Sequence, residues 1–180
     1  MAAPTVDLKN RRQAALLAWF VPGLGHYYQG RRGKALLYFL CILGLYFTGF
    51  WLGDGKIVYW RWVDPFKNYE NFNMYYIAQF FVGLAALPPL IQGTLAHFNF
   101  PPILGGFMDP STEVLNGLQF RLGRFYEVGS IYTAVAGLLN VFAIYDAYAG
   151  PAFSDDEEPA ANPADEPNAA AVPATELSNP

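Results

Sequence analysis

The feature that most constrains this chain is an uncharged apolar run of 18 residues at positions 35–52. As an α-helix this run would be about 27 Å long, close to the roughly 30 Å hydrocarbon core of a bilayer. Residues 75–92 and 129–149 form two more long apolar runs, and the last is uncharged up to Asp146. A surface helix would carry a polar face, which these runs lack. The sequence therefore predicts an all-α integral membrane protein with three spanning helices.

Charge is scarce and unevenly distributed. The chain is 53% hydrophobic and 14% charged, whereas a soluble domain usually has about 25% charged residues. Residues 150–180 hold seven acids and no base, which leaves eight acids and 11 bases in residues 1–149. The tail is rich in Pro, Ala and acid and has few large apolar residues, so we expect it to be disordered. The sequence thus divides into a basic segment at 1–13, a membrane domain at 14–149 and an acidic tail at 150–180.

The first apolar segment, residues 14–28, is harder to place in a membrane. Its 15 residues would make only about 22 Å of helix, and Pro22, Gly23 and Gly25 would interrupt that helix. If the segment crosses, the bases divide six to five between the two sides; if it dips in and returns, they divide eight to three. Cytoplasmic loops carry an excess of Lys and Arg. This rule favours a re-entrant segment with the tail outside, while the four-span alternative puts the tail inside.

The densest motif is PGLGHYYQGRRGK at residues 22–34. Gly and Pro permit tight turns at membrane depth. Four residues of the motif would therefore form a hinge: Pro22, Gly23, Gly25 and Gly30. Its aromatic and basic side chains would lie at headgroup level, and juxtamembrane bases are attracted to anionic lipid. Five of these side chains are candidates for binding a lipid headgroup or another ligand: His26, Tyr27, Arg31, Arg32 and Lys34. The structural alternative is a positively charged topological anchor with a glycine hinge.

The same motif carries two family resemblances. The order Gly-x-Gly-His-x-Tyr-x-Gly-Arg between apolar helices resembles, over residues 14–52, the small two-helix transmembrane hairpin domain, although that domain's acidic-Arg-Phe-like turn element is absent here. A closer resemblance is to bacterial membrane proteins known only as a domain of unknown function. They share Pro-Gly-Leu-Gly-His-x-Tyr-Gln-Gly-Arg, and a segment like residues 133–151 near the end. This resemblance implies a protein of the bacterial cytoplasmic membrane and brings no known activity.

The last apolar run has a pattern of its own. Gly129, Thr133 and Gly137 recur every four residues, so they would line one helix face and allow another helix to approach closely. Asn140 follows on nearly the same face, and Asp146 lies about two turns further on. An ionisable residue in a membrane helix is a candidate for a functional site. The alternative is an interfacial acid that pairs with a loop arginine.

Several classes of function find little support. Cys41 is the only cysteine, and neither His26 nor His97 has another ligand at metal-binding spacing. We therefore predict neither a metal nor a cofactor. Hydrolase and phosphate-loop motifs are missing, and the few bases do not favour nucleic-acid binding. An enzyme is thus less favoured than a non-enzyme.

Two functional hypotheses remain. The first is a non-enzymatic scaffold or accessory subunit whose basic hinge contacts anionic lipid headgroups, with the bilayer and either a membrane protein or a second copy as partners. The alternative is a membrane enzyme or small oligomeric transporter with an intramembrane polar site. That site would require His26 and Asp146 to approach each other.

Overall fold

The computed structural model describes residues 8–67 and 72–150, and within these ranges all regular secondary structure is helical. The disorder predicted for the acidic tail concerns residues outside these ranges. In chain order the helices are α1 (Arg11–Phe20), α2 (Leu24–Tyr28), α3 (Arg32–Leu52), α4 (Met74–Gln79), α5 (Leu87–His97), α6 (Thr112–Leu122) and α7 (Arg124–Ala149). Short 3-10 turns lie at Phe80–Val82, Leu84–Ala86 and Leu104–Gly106.

In the described residues, α3 and α7 are long and apolar enough to cross a membrane, with mean hydropathies of 1.9 and 1.6. They contain the predicted helices over 35–52 and 129–149. The two helices run antiparallel, since Gly49 near the end of α3 packs against Gly129 near the start of α7. At the other end, Lys34 in the first turn of α3 reaches Asp146 in the last turn of α7. We call these the Leu52 end and the Asp146 end of the pair.

The first apolar segment lies beside this pair of helices and folds back on itself. Its two helices, α1 and α2, are separated at Pro22 and Gly23, where Gly23 has a φ of 84°. The Nζ of Lys9, before α1, donates a hydrogen bond of 2.7 Å to the carbonyl of Tyr28 at the end of α2. Both ends of the segment therefore lie together, at the Asp146 end. We call residues 11–28 the first hairpin.

The predicted spanning helix over residues 75–92 is wrong. The chain there forms α4, two 3-10 turns and α5, and it reverses at Gly83, whose φ is 84°. Both ends contact the loop that follows Leu52: Asn73 Nδ2 donates to the carbonyl of Tyr59 at 3.0 Å, and Trp62 Nε1 donates to Thr94 Oγ1 at 3.1 Å. Residues 74–97 are thus a second hairpin, which opens at the Leu52 end. Hydropathy measures how apolar a segment is and cannot distinguish a crossing from a reversal.

The tips of the two hairpins contact each other between the Leu52 end and the Asp146 end of the helix pair. The rings of Trp19 and Phe80 lie 5.5 Å apart, and Gly83 packs on the carbonyl of Trp19. Asn140 of α7 joins the tips, because its Nδ2 donates to the carbonyls of Ala18 at 3.0 Å and Phe81 at 2.8 Å. The described fold thus has a pair of antiparallel helices and two opposed hairpins, with α6 between the second hairpin and α7 in the chain.

The small-residue face of α7 lies inside this arrangement. Gly129 contacts Gly49 of α3, and Gly137 packs on the carbonyl of Ala78. Between them, Thr133 Oγ1 accepts a hydrogen bond of 2.7 Å from Gln79 Nε2. The face that the sequence marks for helix packing is occupied by α3 and the second hairpin of the same chain.

Candidate functional site

A cluster of four ionisable side chains lies at the Asp146 end. Asp146 Oδ2 accepts from His26 Nε2 at 2.7 Å and from Arg31 Nη2 at 2.6 Å, and its Oδ1 lies 3.5 Å from Lys34 Nζ. The His26 side chain is fully buried, that of Arg31 is 9% exposed and that of Asp146 is 16% exposed. One carboxylate thus joins α2, the start of α3 and the end of α7.

Local sequence explains how these elements meet. Gly25 lets α2 lie directly on α1, because a Cβ there would be 2.1 Å from the carbonyl of Ala14. Gly30 has a φ of 81° and begins the short turn into α3, of which Arg31 is the N-cap. This turn carries Gln29 and Arg31 over the C-terminal end of α7. Their side chains donate to its last carbonyls, Gln29 Nε2 to Ala147 at 2.6 Å and Arg31 Nη1 to Asp146 at 3.3 Å. A cation is favourable at that end of a helix.

The surroundings of His26 favour the neutral form of its ring. Burial lowers its pKa, and the nearby Arg31 guanidinium and Lys34 ammonium lower it further, although the hydrogen bond to Asp146 acts in the opposite direction. Because an ionised carboxylate only accepts hydrogen bonds, Nε2 carries the ring proton and donates it to Asp146. The other ring nitrogen, Nδ1, is buried and has no hydrogen-bond partner in the part of the chain that the structure covers. The ring lies 4.7 Å from that of Tyr38.

The five headgroup or ligand candidates divide into two groups. His26 and Arg31 face inward and are paired with Asp146. Tyr27 and Arg32 face outward; Tyr27 is 60% exposed. Lys34 touches Asp146 at 3.5 Å but keeps 45% of its side chain exposed. Arg32 has no carboxylate partner within residues 8–67 and 72–150. The outward group is therefore available to molecules outside the chain.

The two residues proposed for an intramembrane polar site, Asp146 and Asn140, lie in different parts of the fold. Asp146 belongs to the ionic cluster, whereas Asn140 holds the hairpin tips. The Oδ1 of Asn140 and the Oε1 of Gln79 are buried and without a hydrogen-bond partner among the residues that the structure describes. Sequence reasoning missed Gln29 and Gln79. The available signal was an amide side chain within an apolar segment, where polar groups are costly unless they are bonded.

No group of three or more His, Cys, Asp or Glu side chains within the described ranges could hold a metal ion. Chemically, Lys34 of the cluster and the neighbouring Arg32 are exposed cations, which attract anions, while His26, Arg31 and Asp146 join α2, the start of α3 and the end of α7.

Comparison with known proteins gives one match. Residues 13–160 match the model of a family described as "Family of unknown function (DUF6677)". No curated protein and no solved structure matches the chain.

Proposed function

Because the chain belongs to this family of unknown function, we propose its role from its own geometry: a non-enzymatic integral membrane protein that contacts anionic lipid headgroups. It has four membrane-embedded segments: α3 and α7 cross the membrane, whereas each of the two hairpins enters the membrane and returns to the same side. The protein resides in the cytoplasmic membrane of a bacterium. The scaffold or accessory role implies a membrane-protein partner or a second copy of the chain.

The surface of the helix pair supports the membrane arrangement. Large apolar side chains of α3 and α7 are exposed along much of both helices: Leu36, Leu37, Phe39, Leu40, Phe47, Trp51, Leu138, Leu139, Phe142 and Tyr145. A soluble monomer rarely exposes so large an apolar surface. The residues at which the two hairpins reverse, in contrast, are buried: Pro22, Gly23, Val82 and Gly83. Irregular backbone at membrane depth has to be buried in protein in this way.

This arrangement puts both ends of the described chain on one side of the membrane. Leu8 contacts Gly150 at the Asp146 end. Six bases then lie at that end and five at the Leu52 end. The charge-bias argument loses its force, because it counted a crossing at residues 75–92. Residue 150 and the basic motif then share a side, unlike in either arrangement weighed from sequence.

Thiol labelling in intact cells tests this topology. In a Cys41→Ala background, we expect single cysteines at Gly33 and Ala160 to respond alike to an impermeant reagent. A cysteine at Lys67, an 82% exposed side chain near the Leu52 end, should respond oppositely. Opposite responses at positions 33 and 160 would contradict the two-crossing arrangement.

The observation that carries the proposed function is a pair of exposed bases at the start of α3. Arg32 and Lys34 are exposed directly beside apolar side chains that are exposed as well, Leu36 and Leu37. Bases next to a lipid-facing surface lie where phosphates lie. Each contributes roughly 1 kcal/mol near an anionic membrane surface.

Lipid binding to the purified protein tests the function. We expect wild type to retain phosphatidylglycerol in preference to phosphatidylcholine when its detergent micelles are doped with either lipid. In the double variant Arg32→Gln/Lys34→Gln, the preference should fall by roughly thirtyfold, which corresponds to about 2 kcal/mol. The charge-matched control is Lys56→Gln/Lys67→Gln, which changes two bases of the loop that follows Leu52. The proposal fails if both double variants keep the wild-type preference.

Two observations favour the alternative function, a membrane enzyme or oligomeric transporter. The approach of His26 to Asp146 that it requires is present, since their side chains are 2.7 Å apart. Asn140 Oδ1, Gln79 Oε1 and His26 Nδ1 are buried polar atoms without partners in the described part of the molecule. Interrupted helices often supply substrate or ion sites in transporters. This function would be favoured over the first if wild-type protein conducts ions across proteoliposome membranes and Asn140→Leu does not.

A further inference from the structure

An open groove of about 480 Å³ lies between the first hairpin and the first two turns of α3. Its floor is formed by Pro22, Gly23 and Ala35, which are buried. Gly23 seals this floor, because a Cβ there would lie 2.2 Å from the carbonyl of Ala35. The volume is within the range of about 300–1,000 Å³ that is usual for small-molecule sites.

The groove is apolar along its length and polar at one end. Val21, Leu24, Leu36 and Phe39 provide its apolar lining, while Arg32 and Tyr27 are its polar members. From Arg32 to Phe39 is seven residues of α3, or about 10 Å along the helix. Arg32 lies at the start of α3, where that helix leaves the hydrocarbon core. The groove thus runs from a cation at headgroup level into the membrane.

We propose that this groove binds one acyl chain of an anionic glycerophospholipid, with the lipid phosphate on Arg32. Two features select this occupant. The apolar lining faces the bilayer, so a lipid chain reaches it without crossing water. The exposed guanidinium of Arg32 complements a phosphate, with which arginine forms paired hydrogen bonds. The inference rests on the proposed headgroup function and deepens it, from a charged surface to a specific site for one lipid.

A substitution that fills the groove and leaves every base in place tests the site. Leu36 and Leu37 are neighbours in α3 and both are 59% exposed, but only Leu36 lines the groove. Leu36→Trp is therefore the test variant and Leu37→Trp is its matched control. Native mass spectrometry of the full chain would count dioleoyl phosphatidylglycerol, dioleoyl phosphatidylcholine or soluble glycerol phosphate retained by each protein.

We expect wild type and Leu37→Trp to retain a single phosphatidylglycerol and no glycerol phosphate. Leu36→Trp should bind this lipid roughly tenfold or more weakly, since the apolar burial of the chain is lost. If Leu36→Trp retains phosphatidylglycerol as wild type does, the groove assignment is overturned and the headgroup function stands. If wild type retains both lipids equally, the headgroup function itself fails. A dimer that Leu36→Trp dissociates would show that a second copy fills the groove, and would overturn the lipid assignment.

Discussion

Replacing Gly83 with alanine is expected to destabilise the protein by more than about 3 kcal/mol. A Cβ at this position would lie 1.8 Å from the carbonyl oxygen of Trp19 and 2.8 Å from that of Phe20. Both are backbone atoms of the opposing hairpin, so no side-chain rotation relieves the overlap. Gly83 also has φ 84° and ψ −128°, a conformation that residues with a Cβ rarely adopt. The two tips would have to separate, which would break the contacts between them.

Thermal unfolding in detergent, followed by near-UV circular dichroism, measures this effect. The expected fall in Tm is roughly 10 °C or more. Gly44→Ala is the matched control, because Gly44 lies within α3 and a Cβ added there would meet no atom within 4 Å. It should be as stable as wild type or slightly more so, since alanine favours a helix over glycine. Equal Tm values for the two variants would refute the direct contact of the hairpin tips.

The second large effect is expected for Asp146→Ala. The substitution removes the one carboxylate that faces His26, Arg31 and Lys34 in the described residues. The Arg31 side chain, 9% exposed, keeps only hydrogen bonds to Gln29 and to the backbone of residue 146. Removing one member of a largely buried ion pair costs about 3 kcal/mol, because the other charge is left uncompensated. The first hairpin, the start of α3 and the end of α7 would loosen together.

Asp54→Ala is the control for this variant. Asp54 also has two cationic partners, Lys56 and Arg121, but its side chain is 46% exposed. Water replaces such partners readily, so we expect Asp54→Ala to leave the stability close to that of wild type. The Tm of the two variants should therefore differ by several degrees, about 2–4 °C for each kcal/mol.

A double variant separates the ion pair from other roles of Asp146. With Arg31→Gln/Asp146→Ala, neither charge remains, and the loss of stability should be smaller than the sum of the losses in Arg31→Gln and Asp146→Ala. Strict additivity of the single effects, or a Tm of Asp146→Ala equal to that of wild type, would show that the cluster does not hold these helices together.

Much of this molecule follows from local sequence. Long apolar runs identify the cores of α3 and α7, because a bilayer requires about that length of apolar helix. The break at Pro22 and Gly23 also follows from residue type, since Pro lacks an amide hydrogen and Gly permits positive φ. The repeat of Gly129, Thr133 and Gly137 marks a packing face by helical periodicity alone.

Residues 75–92 show the limit of such reasoning. The segment is a long run of mostly apolar residues without charge, and a Pro-Pro pair at 88–89 is typical of a helix end. In the structure these prolines lie in the first turn of α5, where proline is well tolerated, and the reversal is five residues earlier at Gly83. What makes that reversal stable is the backbone of Trp19 and the amide of Asn140, both distant in sequence.

The candidate site divides along the same line. Residue types and spacing alone determined that bases and aromatics gather at residues 26–34 and that an acid ends the last apolar run. Only the tertiary structure decided that His26 and Arg31 turn inward to Asp146 while Tyr27 and Arg32 remain outside. The reason is physical: partners 115 and 120 residues apart meet only after the hairpin has folded onto α7, and no local pattern encodes that contact.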